Sequence, residues 1–353
     1  MNYLLSANNF GMKYNSLKII FILILSSVFL SDLSFAQQPK YEVNTIKYLL
    51  GTEIKITAVH SNIDSMKKAM YFAFKEIERI QSVMSVQIDT TEASAINHNA
   101  GISPVKVSFE LYSIINRSID YSKKYNGIFD ITIGPVSELW GFSSDKKITS
   151  LPDKNLIDSL IKLVDYKLII LNPDDTSVYL SKIGMKIDLG GIAKGYAVDR
   201  AVEVMKDFGM KDFFVNAGGD IYVSGMKTPD QKWSIGIKNP RDEKKLIAEF
   251  EVSEMAVGTS GDYERYVIID GNRYHHIFNT HTGYPVMISQ SGTAFAATTE
   301  EAVVLSKVVF ITGADEYLKT KNESGIMGVI VTDGGKIVYD ERLENLYNFK
   351  VTK

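Results

Sequence analysis

Four segments of this chain concentrate residue types that can do chemistry. The first runs Lys186-Ile-Asp-Leu-Gly-Gly-Ile-Ala-Lys-Gly-Tyr-Ala-Val-Asp-Arg200. It reads as a strand ending at Asp188, a tight turn at Gly190-Gly191 and a helix with Lys194 in its first turn. Free backbone N–H groups at a helix start and a nearby ammonium together suit a phosphate. Asp188 suits a ribose hydroxyl, a purine amine or a metal. Neither Gly-x4-Gly-Lys-Ser/Thr nor a Gly-x-Gly-x-x-Gly after the first strand is present, so this is neither a P-loop nor a dinucleotide fingerprint. The second segment, Phe213–Gly225, carries Gly218-Gly219-Asp220 between two short strands. Such a pair marks a hairpin turn, a bulge or a backbone closely approached by a ligand.

The third segment is Val257–Arg265 followed by Tyr274–Val286, in which His275, His276 and His281 fall within seven residues. A histidine beside hydroxyls can serve as a base, and a clustered histidine can equally be a metal ligand or a structural hydrogen bonder. No His-Glu-x-x-His spacing accompanies them. The fourth, Gly127–Phe142, offers Phe129, Trp140 and Phe142. Aromatic side chains of this kind either stack on a flat ring or pack in the core, and core packing is the commoner use.

The elements that must hold these residues are interleaved. A strand over Tyr48–Val59 precedes a long helix over Ile63–Met84, whose apolar residues Met66, Met70, Phe72, Phe74, Ile77 and Ile80 recur at helical spacing. A second helix spans Val107–Tyr125 and stops at Asn126-Gly127. Short β-type runs follow at Lys167–Leu171, Ser177–Leu180, Met185–Leu189, Phe213–Val215, Ile221–Val223, Trp233–Ile237, Met255–Thr259 and Tyr266–Ile269. Helices over Ile192–Phe208 and Thr299–Ile311 lie among them. A hairpin, Met327–Thr332 with Lys336–Tyr339, closes the chain. Strands in hairpins between helices predict an α+β domain with a single mixed sheet, not a doubly wound parallel one.

Composition narrows the classes. The 353 residues are 45% hydrophobic and 23% charged, with a formal net charge of −3. That is ordinary globular chemistry and offers no basic surface for nucleic acid. No cysteine occurs, which excludes disulfides, thiolate nucleophiles and cysteine-held metals. Lys13 and Lys18 precede an apolar run from Ile19 to Leu30, and Ser34-Phe35-Ala36 follows. This is the pattern of a secretory signal over residues 1–36, either cleaved or retained as a tether to the inner membrane. Residues 37–44 read as a short tail and 45–350 as the folded domain. The protein is thus expected to be exported, to the periplasm.

Taken together and in order, the segments resemble the ApbE family of FAD:protein FMN transferases. Asp188–Asp199 is close to the family's DLGGIAKGYAVD, Asn216–Gly225 to its NAGGDI and Ser-Gly pattern, and Thr259–Arg265 reads TSGDYER as the family does. The likeness extends over about residues 45–350 and implies the ApbE-like fold. It implies FAD as substrate, contacted by Phe129, Asp130, Asp188, Lys194, Gly219, Asp220 and Phe278. His276 falls on the family's histidine proposed as base. The implied reaction is transfer of FMN from FAD to a Thr or Ser hydroxyl of a target protein, with AMP released. The implied acceptor carries a flavinylation motif and is a subunit of a membrane redox complex.

The resemblance also implies Mg²⁺, held by an Asp-x3-Thr pair on a late helix and by the carbonyl at Gly191. Aligning Phe310–Gly313 with the end of that motif puts Val303 on the aspartate and Lys307 on the threonine. Valine offers a cation nothing, and lysine repels it. Three readings follow: a transferase with its metal relocated to Glu300 or Glu301, an FAD-binding paralogue with weak or no transfer, or an FAD pyrophosphatase.

Overall fold

A large antiparallel sheet is built from strands that neighbour one another in chain order. In the computed structural model, residues 39–142 and 148–352 are described; the expected signal segment lies outside them. Residues from Tyr41 onward make one compact unit. Its sheet runs β1 (Tyr41–Leu49), β2 (Thr52–His60), β3 (Asp212–Ala217), β4 (Asp220–Ser224), β5 (Met255–Gly261), β6 (Ser289–Ala296), β7 (Met327–Thr332) and β8 (Ile337–Tyr339). Every neighbouring pair is antiparallel, so the expected mixed sheet is here wholly antiparallel.

The strand expected over Tyr48–Val59 is in fact a hairpin. β1 and β2 pair from Tyr41↔His60 to Leu49↔Thr52, and Leu50-Gly51 make the turn with φ of 54° and 71°. Positive φ at both central residues matches the twist of a two-residue hairpin. Among the described residues the first strand therefore begins at Tyr41, inside the segment read as a tail. β1 is a sheet edge with Tyr41, Ile46 and Tyr48 exposed, so it lacks the one-sided apolar alternation that would betray it.

Three long helices lie on one face of the sheet, and a fourth packs with them in the same core. α1 (Ile63–Met84) starts at Asn62, whose side chain accepts from the Ser65 N–H. It buries Met66, Ala69, Met70, Ala73, Phe74, Ile77, Ile80 and Met84, each large one worth about 1.5–3 kcal/mol. α2 (Phe109–Lys124) is capped by Ser108. α3 (Ala193–Asp207) packs between α1 and α4 (Thr299–Ser324), and α4 lies on β5, β6 and β7. The expected end of α4 at Ile311 is overrun, because the chain kinks at Gly313 (φ 75°) and resumes as helix.

The sheet explains why α4 can sit so close. On its helix face, β5 and β6 carry only small residues, Ala256, Gly258 and Ser260 paired with Ala296, Ala294 and Gly292. A methyl group on Gly258 would stand 2.6 Å from the Ala302 backbone. The opposite face carries Val257, Phe295, Val329 and Val331, packed with Trp233 and Phe250 of the hairpin Trp233–Asn239 and Asp242–Val252. Period-two alternation thus separates a small-residue face from a bulky one. β6 has all eight residues buried but too little apolar character to be read from sequence. Met185–Leu189, expected as a strand, is an extended connection without strand pairing. Among the described residues no helix is long and apolar enough to cross a membrane.

Candidate functional site

The two glycine turns and the late helix meet at one place. Lys194, in the first turn of α3, reaches across to Asp220 at the start of β4, with Nζ to Oδ2 of 2.8 Å. Asp220 is 2% exposed. Its other oxygen accepts weakly from the Thr259 N–H of β5 at 3.4 Å. A buried carboxylate without a partner would be costly, so the lysine and the aspartate fix each other. The turn feeding α3 is braced from its own side, since Asp188 Oδ1 accepts from the Gly190 N–H at 2.8 Å. The N-cap residue of α3, Ile192, provides no side-chain acceptor.

Gly191 lies against two side chains. A methyl group there would stand 3.0 Å from Phe129 Cε2 and 3.4 Å from Lys307 Cε. Phe129 is buried and edge-on to Tyr121; it forms a wall of the turn. Gly219 has φ of 96°, and nothing lies within 4 Å of where its side chain would be. That leaves open space beside the Asp220 turn.

His276 completes the cluster. Its Nδ1 lies 3.3 Å from the Arg265 carbonyl. A carbonyl only accepts, so Nδ1 carries the proton and Nε2 keeps its lone pair. Burial, then the charges of Arg265 and Lys194, push its pKa down to about 3, so the ring is neutral across the physiological range. His275 has a different task. It is 1% exposed, and its Nε2 donates to the Val286 carbonyl at 2.6 Å while Nδ1 accepts from the Ile277 N–H.

Two expected flavin contacts are otherwise engaged. Asp130 accepts from the N–H and Oγ1 of Thr132 with one oxygen and from the Tyr166 N–H with the other. Burial raises its pKa. It caps the turn after Phe129. Phe278 is 5% exposed, its ring among those of Trp140 and Phe142; the apolar cluster there takes it into the core. Trp140 is also core, donating from Nε1 to the Gly283 carbonyl.

The residues do not fit a divalent cation. Val303 is fully buried, and its carbonyl already accepts from Ser306 Oγ and from Lys307 Nζ at 2.9 and 3.2 Å. Glu300, the alternative ligand, has its carboxylate engaged by Arg117 through two bonds of 2.7 and 2.8 Å. Glu301 sits one residue on, at the α4 start. Among the described residues no three His, Cys, Asp or Glu side chains are grouped to hold a metal.

Two contributors escaped the sequence. Arg265 sets the tautomer and lowers the basicity of His276. Asp199 of α3 accepts from the Thr299 and Glu300 N–H groups at 2.7 and 2.8 Å, which ties the start of α4 to α3. Both lie inside motifs already singled out, but their partners are far away in sequence.

Known proteins resemble this chain in sequence and in fold. A family model described as the ApbE family matches residues 50–330. An FAD:protein FMN transferase of Klebsiella pneumoniae (strain 342) is 34% identical over 216 residues, covering 60% of this chain and 65% of that one. The chain therefore spans just under two thirds of that relative's length. An FAD:protein FMN transferase of Haemophilus influenzae is 28% identical over 300 residues, 82% of this chain and 84% of that one. The crystal structure of an ApbE protein from Thermotoga maritima superposes with a TM-score of 0.81 at 33% identity, over 87% of this chain and 99% of that one.

Proposed function

This chain belongs to the ApbE family, and from that premise we propose that it is an FAD:protein FMN transferase. The observation that carries the reading is the Lys194–Asp220 pair, which joins the helix after the Gly190-Gly191 turn to the Gly218-Gly219 turn with open space beside it, while His276 lies close enough for the Lys194 charge to act on it. Lys194 and the α3 N-terminus supply positive charge for the diphosphate of FAD. The hydroxyl oxygen of an acceptor Thr or Ser attacks the phosphorus of the FMN half. The bond from that phosphorus to the bridging oxygen breaks, and AMP leaves with the electron pair. The hydroxyl proton passes to Nε2 of His276, the nitrogen with a free lone pair. Chemistry of this kind needs positioning and charge more than covalent help. Mg²⁺ has no fitting ligand set here, and no step is assigned to it.

The acceptor class is a protein segment with a flavinylation motif, on a subunit of a membrane redox complex. The place is the periplasm, reached through the signal pattern of residues 1–36. One assay tests the function: purified protein, FAD and an acceptor bearing that motif, read by in-gel flavin fluorescence and AMP release. Fluorescence on the acceptor with stoichiometric AMP is the expected result. AMP without labelled acceptor would mean hydrolysis, and FAD binding without AMP would mean a carrier; either outcome rejects the transferase.

A further inference from the structure

We propose that the Lys307 ammonium does the work of a divalent cation in this chain, pairing directly with the FAD diphosphate so that FAD binds without a metal. The inference rests on the FAD reading above and goes beyond it, since it concerns how the diphosphate charge is met.

The placement comes from three observations. Lys307 is one helical turn beyond Val303 on α4, so the two side chains share a face. That face looks at Gly191, where a methyl would stand 3.4 and 3.5 Å from Lys307 Cε and Cδ. The ammonium thus reaches the turn that leads into α3, beside Lys194. Its partners are incomplete as well. An ammonium has three donors, and the Val303 carbonyl at 3.2 Å is the acceptor it finds among the described residues. Burial lowers the Lys307 pKa to about 8, which leaves the ammonium form dominant at neutral pH; Asp220, the nearby carboxylate that most favours that charge, is already bound to Lys194 at 2.8 Å.

Charge balance argues the same way. A cation placed against Gly191 would meet the Lys307 side chain and the Phe129 ring where oxygen ligands are required. An anion placed there would meet two ammoniums and the start of a helix; the nearby carboxylates, Asp220 and Asp188, are engaged by Lys194 and by the Gly190 N–H. A diphosphate therefore matches the site as folded, whereas Mg²⁺ would need Lys307 displaced from it. An ammonium is a point charge that binds phosphate well but does not bridge two of its oxygens as a metal does.

Equilibrium FAD binding by the full mature chain, read by flavin fluorescence in EDTA and in excess Mg²⁺, tests this. The two affinities should agree within about twofold. Lys307→Met should weaken FAD binding about 10- to 100-fold, the scale of one charge-assisted hydrogen bond, and Lys307→Arg should restore most of it. Rescue by arginine separates lost charge from lost folding. The double variant Val303→Asp with Lys307→Thr should bind FAD in a Mg²⁺-dependent way. Wild-type affinity that collapses in EDTA and returns with Mg²⁺ would overturn the lysine's role while leaving FAD as the ligand. Wild-type protein that binds FAD in neither condition would overturn the FAD reading itself, and this inference with it.

Discussion

At the scale of single residues, the site depends on how burial and neighbouring charge set protonation. His276 is held neutral, with a pKa lowered to about 3 by burial and by Arg265 and Lys194. An ordinary histidine, with a pKa of about 6.5, would lose activity about tenfold per pH unit below that value. With FAD and acceptor at low concentration, kcat/KM should stay flat well below pH 6. A profile that bends near 6.5 would show that the ring titrates normally. His276→Gln should cut transfer about 100-fold or more while leaving FAD affinity within about threefold, because the ring's role is to take a proton. The same depressed pKa makes the fold less stable in acid. The unfolded chain takes up this proton as pH falls below about 6.5, whereas the folded chain resists it until about 3.

At the scale of elements, the site's geometry depends on how tightly α3 and α4 approach. Gly195 sits where they cross, and a methyl there would stand 2.4 Å from the Thr299 carbonyl oxygen. Helix propensity alone favours alanine over glycine by about 1 kcal/mol. The backbone clash outweighs that gain, so Gly195→Ala should destabilise by about 2 kcal/mol or more and weaken FAD binding, as α4 moves Lys307 away from Gly191. Chemical denaturation and FAD titration of the variant check both parts. A second brace lies between α2 and α4. Glu300, with its side chain 7% exposed, is clamped by Arg117. Arg117→Met would leave that carboxylate buried and unpaired, at a cost of about 2–3 kcal/mol, discounted because Arg117 is 40% exposed.

At the scale of the whole molecule, the sheet starts at Tyr41 and the signal pattern ends at Ala36. Removing residues 1–36 should therefore leave the melting temperature unchanged, which calorimetry on the full and shortened chains would show. Protein recovered from the periplasm should begin at Gln37 by mass spectrometry; an intact N-terminus there would mean a tether instead.

How much of this was legible depended on range. Helical spacing announced α1, and the order of motifs announced the family, because both signals lie within short stretches of chain. The same was true of Lys194 after Gly190-Gly191, a residue type placed by local turn chemistry. β1 and β6 were not legible. One is an edge strand with both sides partly wet, and the other has Phe295 as its one large apolar residue, with small residues on the face against α4.

For the site, sequence alone named which side chains were candidates, and the family resemblance implied that Val303 and Lys307 replace a metal pair. It did not determine what each would face. Only the tertiary structure put Lys194 on Asp220, took Asp130 and Phe278 into caps and core, and closed Glu300 on Arg117. The reason is that a side chain's protonation and free lone pairs are set by its partners in space. Lys194 and Asp220 lie 26 positions apart and Arg117 and Glu300 183 positions apart, so those partners become defined only when the sheet and helices have packed.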